Sequence, residues 1–175
     1  MKKLYTIFIV TLTVSFAQAQ WAGFNNNGGD GLWSNDSNWA FPTGITTLDA
    51  DWDIDLYVGP AAATLDEAYT AKRFRMPGNK TESFTLTGEN TLTIDIASAT
   101  QGNENSGALA IWSESATGTT LTFDCDVNIA NSVTPDSFKG VSVLSTATAG
   151  SVIEFATGRT LDIGGTGTTS FWGLG

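Results

Sequence analysis

Four carboxylates stand at alternate positions: Asp49, Asp51, Asp53 and Asp55, separated by Ala50, Trp52 and Ile54. In an extended chain alternate side chains share a face, so the row would present four carboxylates together. Like charges this close are unfavourable unless water or a cation intervenes. Calcium takes several oxygen ligands at once and is the cofactor such a row would hold. A solvated acidic edge is the plainer reading, and the row lacks both an EF-hand loop and a glycine-rich calcium repeat. Trp33 and Trp39 form a second group, six residues apart around a polar turn. Exposed, they would stack against a glycan ring. Buried, they would close one end of a fold. Paired carboxylates that a polysaccharide-cleaving enzyme would need are also available, as Asp124 with Asp126 or Glu154 with Asp162. Such pairs arise by chance in an acidic chain. Lys72, Arg73 and Arg75 share one strand-like run and are expected to offset nearby acids.

Other chemistry is excluded by composition. The chain has no histidine, which removes the commonest general base and zinc ligand and the usual triad hydrolases. Cys125 is the single cysteine, so no internal disulfide forms. Its place in Leu121-Thr122-Phe123-Asp124-Cys125 points to a buried small hydrophobe. No catalytic residue is assigned, and the expectation is a non-enzymatic protein.

The opening residues predict export. Lys2 and Lys3 precede an apolar stretch from Leu4 to Phe16, followed by Ala17-Gln18-Ala19, an A-x-A cleavage site. Residues 1–19 are read as a signal peptide, with the mature chain starting at Gln20. The apolar stretch is short for ~30 Å of hydrocarbon. No membrane insertion of the mature chain is expected, and its place is extracellular or on the outer cell surface. Losing two lysines deepens the formal charge from −10 to −12. Such a chain repels phosphate backbones, so no nucleic-acid partner is expected. Surface glycans or other cell-surface components are the expected partners.

The elements that must position these residues are short strands written in repeats. Thr91-Leu92-Thr93-Ile94, Asp126-Val127-Asn128-Ile129 and Thr160-Leu161-Asp162-Ile163 follow one pattern, spaced by 35 and then 34 residues. A period of this size means stacked units, each too small to bury its own apolar face. Strand-like runs are read at Ile54 to Gly59, Ala71 to Met76, Ser83 to Thr87, Asn90 to Ile96, Ala108 to Ser113 and Thr119 to Asp124. They continue at Asp126 to Ala130, Gly140 to Ser145, Ser151 to Ala156, Arg159 to Ile163 and Ser170 to Leu174. Leu65 to Tyr69 reads as one helical turn. The runs group in threes: Phe84/Leu86 with Leu92/Ile94 and Leu109/Ile111, then Leu121/Phe123 with Val127/Ile129 and Val141/Val143. Ile153/Phe155, Leu161/Ile163 and Phe171 follow. Three strands per unit predict an all-β, right-handed parallel β-helix, its coils stacked at about 4.8 Å. Residues 20–53 form an atypical N-terminal cap segment and 54–175 the coils. The loops Ala97 to Gly107 and Asn131 to Lys139 fall at equivalent positions on one side. An antiparallel β-sandwich of the jelly-roll kind is the alternative. Stacking also places Glu154 beyond Thr122, and Asp126 and Asn128 beyond Thr91 and Thr93. That arrangement breaks up the Thr-x-Thr pairs and argues against an ice-binding array.

The opener Gly31-Leu32-Trp33-Ser34-Asn35-Asp36-Ser37-Asn38-Trp39, then Pro42 and Asp49, precedes strand phrases such as Phe84-Thr85-Leu86-Thr87-Gly88-Glu89-Asn90-Thr91-Leu92-Thr93-Ile94. With these features nearly the whole mature chain resembles bacterial exported β-strand-repeat proteins, the autotransporter-passenger-like or adhesin-like surface proteins. The resemblance implies a right-handed β-helix displayed outside the cell. It carries over no catalytic residues. Such proteins are usually much longer, and this chain stops at Phe171-Trp172-Gly173-Leu174-Gly175, within a strand-like run. The expectation is the N-terminal part of a longer protein with a structural or adhesive role. A polysaccharide-binding or polysaccharide-degrading β-helix is the alternative.

Overall fold

The computed structural model describes residues 21–41, 46–47, 52–56, 60–95, 110–115, 118–130, 139–143, 150–164 and 169–172. The fold is all-β. Residues 1–20, which include the stretch read as a signal peptide, Asp49, Asp51 and both long loops up to Lys139 lie outside the described residues. So does Leu109.

Among the described residues thirteen strands form two sheets. The first contains β1 (Trp21–Phe24), β2 (Trp39–Ala40), β3 (Asp53–Asp55), β6 (Arg73–Met76), β8 (Ile111–Ser113), β10 (Lys139–Val143) and β13 (Thr169–Trp172). Its order is β13-β10-β8-β6-β3-β1-β2. The second contains β4 (Ala62–Thr64), β5 (Tyr69–Ala71), β7 (Phe84–Asp95), β9 (Thr120–Ala130), β11 (Val152–Phe155) and β12 (Leu161–Ile163). There β4 and β5 both pair with β7, β7 with β9, and β9 with both β11 and β12. After β3 the chain alternates between the sheets, advancing along each in order. All described strand pairs are parallel except β1 with β2. This overturns the antiparallel sandwich.

Register follows the repeat. Leu92 pairs with Val127, and Val127 with Leu161. Glu154 falls beside Thr122, Asp126 beside Thr91 and Asn128 beside Thr93, as the stacking requires. Alternation then fixes the faces. In β9 Leu121, Phe123, Cys125, Val127 and Ile129 are buried, while the residues between them are half-buried. In the first sheet Ala22, Ile54, Phe74, Ile111 and Val141 stack in register and join the same core. The predicted third column is shifted by two residues: Ile111 faces Val141, and Val143 faces Ser113. A two-residue slip keeps every side chain on its face, so alternation alone does not detect it.

Three other expectations change. The two runs read around Gly88 form one strand, β7, and the two around Asp124–Asp126 form β9. Between Thr87 and Thr91, β7 advances four residues while β9 advances two, from Asp124 to Asp126. Gly88 sits in this irregularity at φ +153°, and a Cβ there would lie 2.5 Å from the Leu65 carbonyl oxygen. Only glycine fits so close a backbone approach. The helical turn read at Leu65 to Tyr69 is absent: Leu65 N–H donates to the Thr87 carbonyl at 2.7 Å, and Tyr69 opens β5. Among the described residues no helix is long and apolar enough to cross a membrane.

Candidate functional site

The carboxylates of β3 meet arginines, because parallel pairing with β6 places Asp53 beside Arg73 and Asp55 beside Arg75. Arg73 binds Asp53 in a fork, with Nε to Oδ1 at 2.8 Å and Nη2 to Oδ2 at 2.5 Å. Both residues are buried, at 3% and 2% exposure. Arg75 Nη2 pairs with Asp55 Oδ2. Two indoles flank these pairs. The Arg75 guanidinium lies 4.2 Å from the Trp21 ring centroid, and that of Arg73 lies 5.4 Å from Trp21 and 5.9 Å from Trp112. Cations over aromatic faces gain from the ring quadrupole, more so when shielded from water. Trp112 Nε1 donates to Glu114 Oε1 at 2.8 Å.

Burial pushes the Asp55 carboxyl above its usual range, against the pull of Arg75 and with help from the Glu114 and Asp53 charges. Asp55 Oδ1 and Arg75 Nε are buried without a hydrogen-bond partner. The arrangement is a charge ladder that locks two strands in register. Sequence reasoning paired the arginines with nearby acids correctly. It left Trp21, Trp112 and Glu114 unassigned, although Trp112 alternates with the inward Ile111, which was the available signal.

Of the four carboxylates read as a calcium row, the structure describes Asp53 and Asp55. Asp53 gives both oxygens to Arg73, and Asp55 gives one to Arg75. Neither is a solvated edge, since both are buried. Asp49 and Asp51 lie outside the described residues. Among the described residues no three or more acidic or cysteine side chains converge as a metal site.

Trp33 and Trp39 are buried, at 0% and 5% exposure, and offer no ring face to a glycan. Trp33 stacks on Phe24 at 5.6 Å and on Phe74 at 6.0 Å, while Trp39 meets it edge-on at 4.5 Å. Trp39 Nε1 donates to the Trp33 carbonyl at 2.8 Å. The polar turn between them is held by its own side chains. Asp30 accepts from Leu32 N–H and from the Asn35 and Asn38 amides, which holds its carboxyl below the usual range. Asn38 Oδ1 accepts from Gly28 N–H at 2.9 Å, where a Cβ on Gly28 would sit 2.6 Å from that oxygen. Leu32 bridges to Thr64, and Ser34 binds Asp66 through N–H and hydroxyl. These contacts tie the segment to β1 in the first sheet and to β4 in the second.

The second sheet's outer face carries the other carboxylate pairs. Asp124 accepts from Arg159 Nε at 2.9 Å, and the same guanidinium spans Glu89 at 3.0 and 3.2 Å. Asp126 accepts from Thr160 N–H at 2.8 Å. Glu154 and Asp162 stand exposed on β11 and β12. Cys125 lies inward between Asp124 and Asp126, and burial pushes its thiol up to about 12.

The chain matches no protein-family model, no curated protein and no solved structure.

Proposed function

We propose that this chain is a non-enzymatic, exported right-handed parallel β-helix with an N-terminal cap, serving structural display or attachment at the cell surface. The observation that carries the reading is the path of the chain. It alternates between two parallel sheets and brings Leu92, Val127 and Leu161 into one stacked column. Such a stack presents a long regular surface and needs a plug at its first coil. Trp33, Trp39 and Phe24 supply that plug. The side chains that suggested chemistry support the same role: the arginines bind acids across strands, and the cap tryptophans fill the core. The opening residues read as a signal peptide and the resemblance to adhesin-like passengers support a place outside the cell.

Two assays test this. Protease shaving of intact producing cells, followed by mass analysis, is expected to release fragments of a chain beginning at Gln20. Incubation with a panel of polysaccharides is expected to yield no unsaturated or reducing ends. Recovery in the cytoplasm would overturn the display role, and release of sugar ends would overturn the non-enzymatic reading.

A further inference from the structure

We infer that Asn27 is a site of spontaneous covalent modification, where Gly28 closes a cyclic imide on the side chain, and that the Asn38 carboxamide holds this reaction back in the folded protein. The reaction needs only water and hydroxide. The Gly28 amide nitrogen gives its proton to hydroxide and bonds to Asn27 Cγ. The carboxamide C–N bond breaks, and the departing nitrogen takes a proton from water, which releases ammonia and restores the hydroxide. Water then opens the five-membered imide. Breaking the bond from the Gly28 nitrogen to Cγ gives aspartate. Breaking the bond to the Asn27 main-chain carbonyl carbon gives isoaspartate, with the chain routed through the side chain.

The sequence and the fold both put the reaction here. Glycine carries no side chain to obstruct its attacking nitrogen, and Asn27-Gly28 is the one Asn-Gly pair in the chain. Both residues are exposed, and no described residue holds the Asn27 carboxamide. The fold also cannot dispense with this glycine. A Cβ on it would lie 2.6 Å from Asn38 Oδ1 and 2.7 Å from Asn35 Nδ2. The close approach that requires glycine thus creates the reactive pair.

The turn answers by occupying the nucleophile. Gly28 N–H donates to Asn38 Oδ1 at 2.9 Å. That bond favours the protonated amide over the anion that attacks. The lone pair left by deprotonation would also point along it, toward Asn38. Asn38 is fully buried and fixed, with Nδ2 donating to Asp30 Oδ1 at 2.6 Å and to the Leu32 carbonyl at 2.8 Å. The same capture recurs along the run. The amide that would attack Asn25 is that of Asn26, given to the Asn38 carbonyl at 3.1 Å. The amide that would attack Asn26 is that of Asn27, given to Asn25 Oδ1 at 3.0 Å. Gly31 N–H, which would attack Asp30, is given to Asn26 Oδ1 at 2.8 Å. Asp30 has a further guard, because its carboxylate accepts three hydrogen bonds. Only Asn27 joins an exposed, unheld carboxamide to a glycine attacker, so the reaction escapes there. Isoaspartate adds a main-chain carbon beside Gly28 and carries its N–H off Asn38. Either product adds a negative charge to the turn.

The test incubates the full chain in mildly alkaline buffer, folded and in urea, and follows mass and isoaspartate by peptide mapping. In urea Asn27 is expected to gain one mass unit readily, and in the folded chain to do so at least several-fold more slowly. Asn38→Ala removes the acceptor and should raise the folded rate at Asn27 by roughly five-fold, with a melting temperature above that of the incubation verifying the fold. Asn35→Ala loosens the same turn at its bonds to Asp30 and Ser37 but spares the Gly28 bond, so its rate should stay near wild type. Equal acceleration by both variants would reduce the effect to a loosened turn and overturn the role of Asn38. A third arm needs no variant: warming wild type below its melt should raise Asn27 conversion in step with amide exchange at Gly28, and conversion that rises without that exchange overturns the inference. So would equal rates in the folded chain and in urea, an Asn38→Ala chain that folds and converts no faster, or an Asn27 that stays intact in urea.

Discussion

Two arginine clusters on opposite sheets use the same chemistry in different surroundings. On the first sheet Asp53, Asp55 and Arg73 are buried and Arg75 is half-buried, beside Trp21 and Trp112. On the second, Arg159 joins Asp124 and Glu89 at a surface where the Glu89 side chain is 89% exposed. The carboxyls respond in opposite directions. Burial raises Asp55 above its ordinary 3.8 despite Arg75. Hydrogen bonds and charge from Arg159 lower Glu89 below its ordinary 4.5. Pairing alone does not decide a titration. The water that pairing displaces counts as much.

Breaking the buried ladder gives the largest expected effect. Asp53→Ala leaves Arg73 charged and enclosed, at a cost of about 3–5 kcal/mol. That is a large share of the ~5–15 kcal/mol that holds a domain together. Urea denaturation measures it. Replacing both partners, Asp53→Leu with Arg73→Met, is expected to recover most of the loss, since apolar isosteres need no partner. A double variant as unstable as the single one would show that the ladder's role is not charge compensation.

The second effect is a pair of opposite pH dependences. A raised folded pKa gives stability present below the ordinary value and lost as pH rises through the higher one. Wild type should therefore lose stability relative to Asp55→Asn as pH climbs above the ordinary 3.8. Glu89 behaves inversely. Its contribution is present above the ordinary 4.5 and is lost as pH falls through its lower folded value. Carbon-detected NMR titration of the two carboxyls checks both signs, and a shift of both in the same direction would remove the contrast.

Thiol labelling sharpens the comparison further. Cys125 lies behind Asp124 and Asp126 with its thiol raised by burial, so a maleimide reaches it only through unfolding. Asp53→Ala should quicken labelling strongly, although Asp53 lies on the other sheet. Arg159→Ala, beside the thiol, should leave labelling close to wild type. The smallest effect is Arg159→Ala on the melting temperature, a slight loss that disappears in high salt.

Much of the stacking was legible because apolar spacing sets it. The column Leu92, Val127, Leu161 and its outward neighbours Thr91 and Asp126 follow from one period and one alternation. β4 escaped because Ala62-Ala63-Thr64 has no large apolar residue to mark a strand. The gap left between Thr87 and Asn90 is a bend within β7, because sequence does not show that Leu65 bonds to both Thr87 and Asn90 and holds them in one strand. The arginine partners of Asp53 and Asp55 were hidden for a related reason. Alternation places Asp53 and Asp55 on one face, but which strand lies alongside is a tertiary fact, and β6 brought arginines. The two tryptophans had a structural and a chemical reading of equal pattern, and burial separates them.

The paired tryptophans also carry an optical consequence. Trp33 and Trp39 sit 4.5 Å apart with planes at 88°. Indole transitions this close couple electronically, and their fixed, chiral placement gives the ultraviolet circular dichroism an exciton couplet. Parting the rings by a few ångströms weakens that signal steeply. The pair thus reports its own packing without a label, and its separation can be followed spectroscopically apart from the melting of the strands.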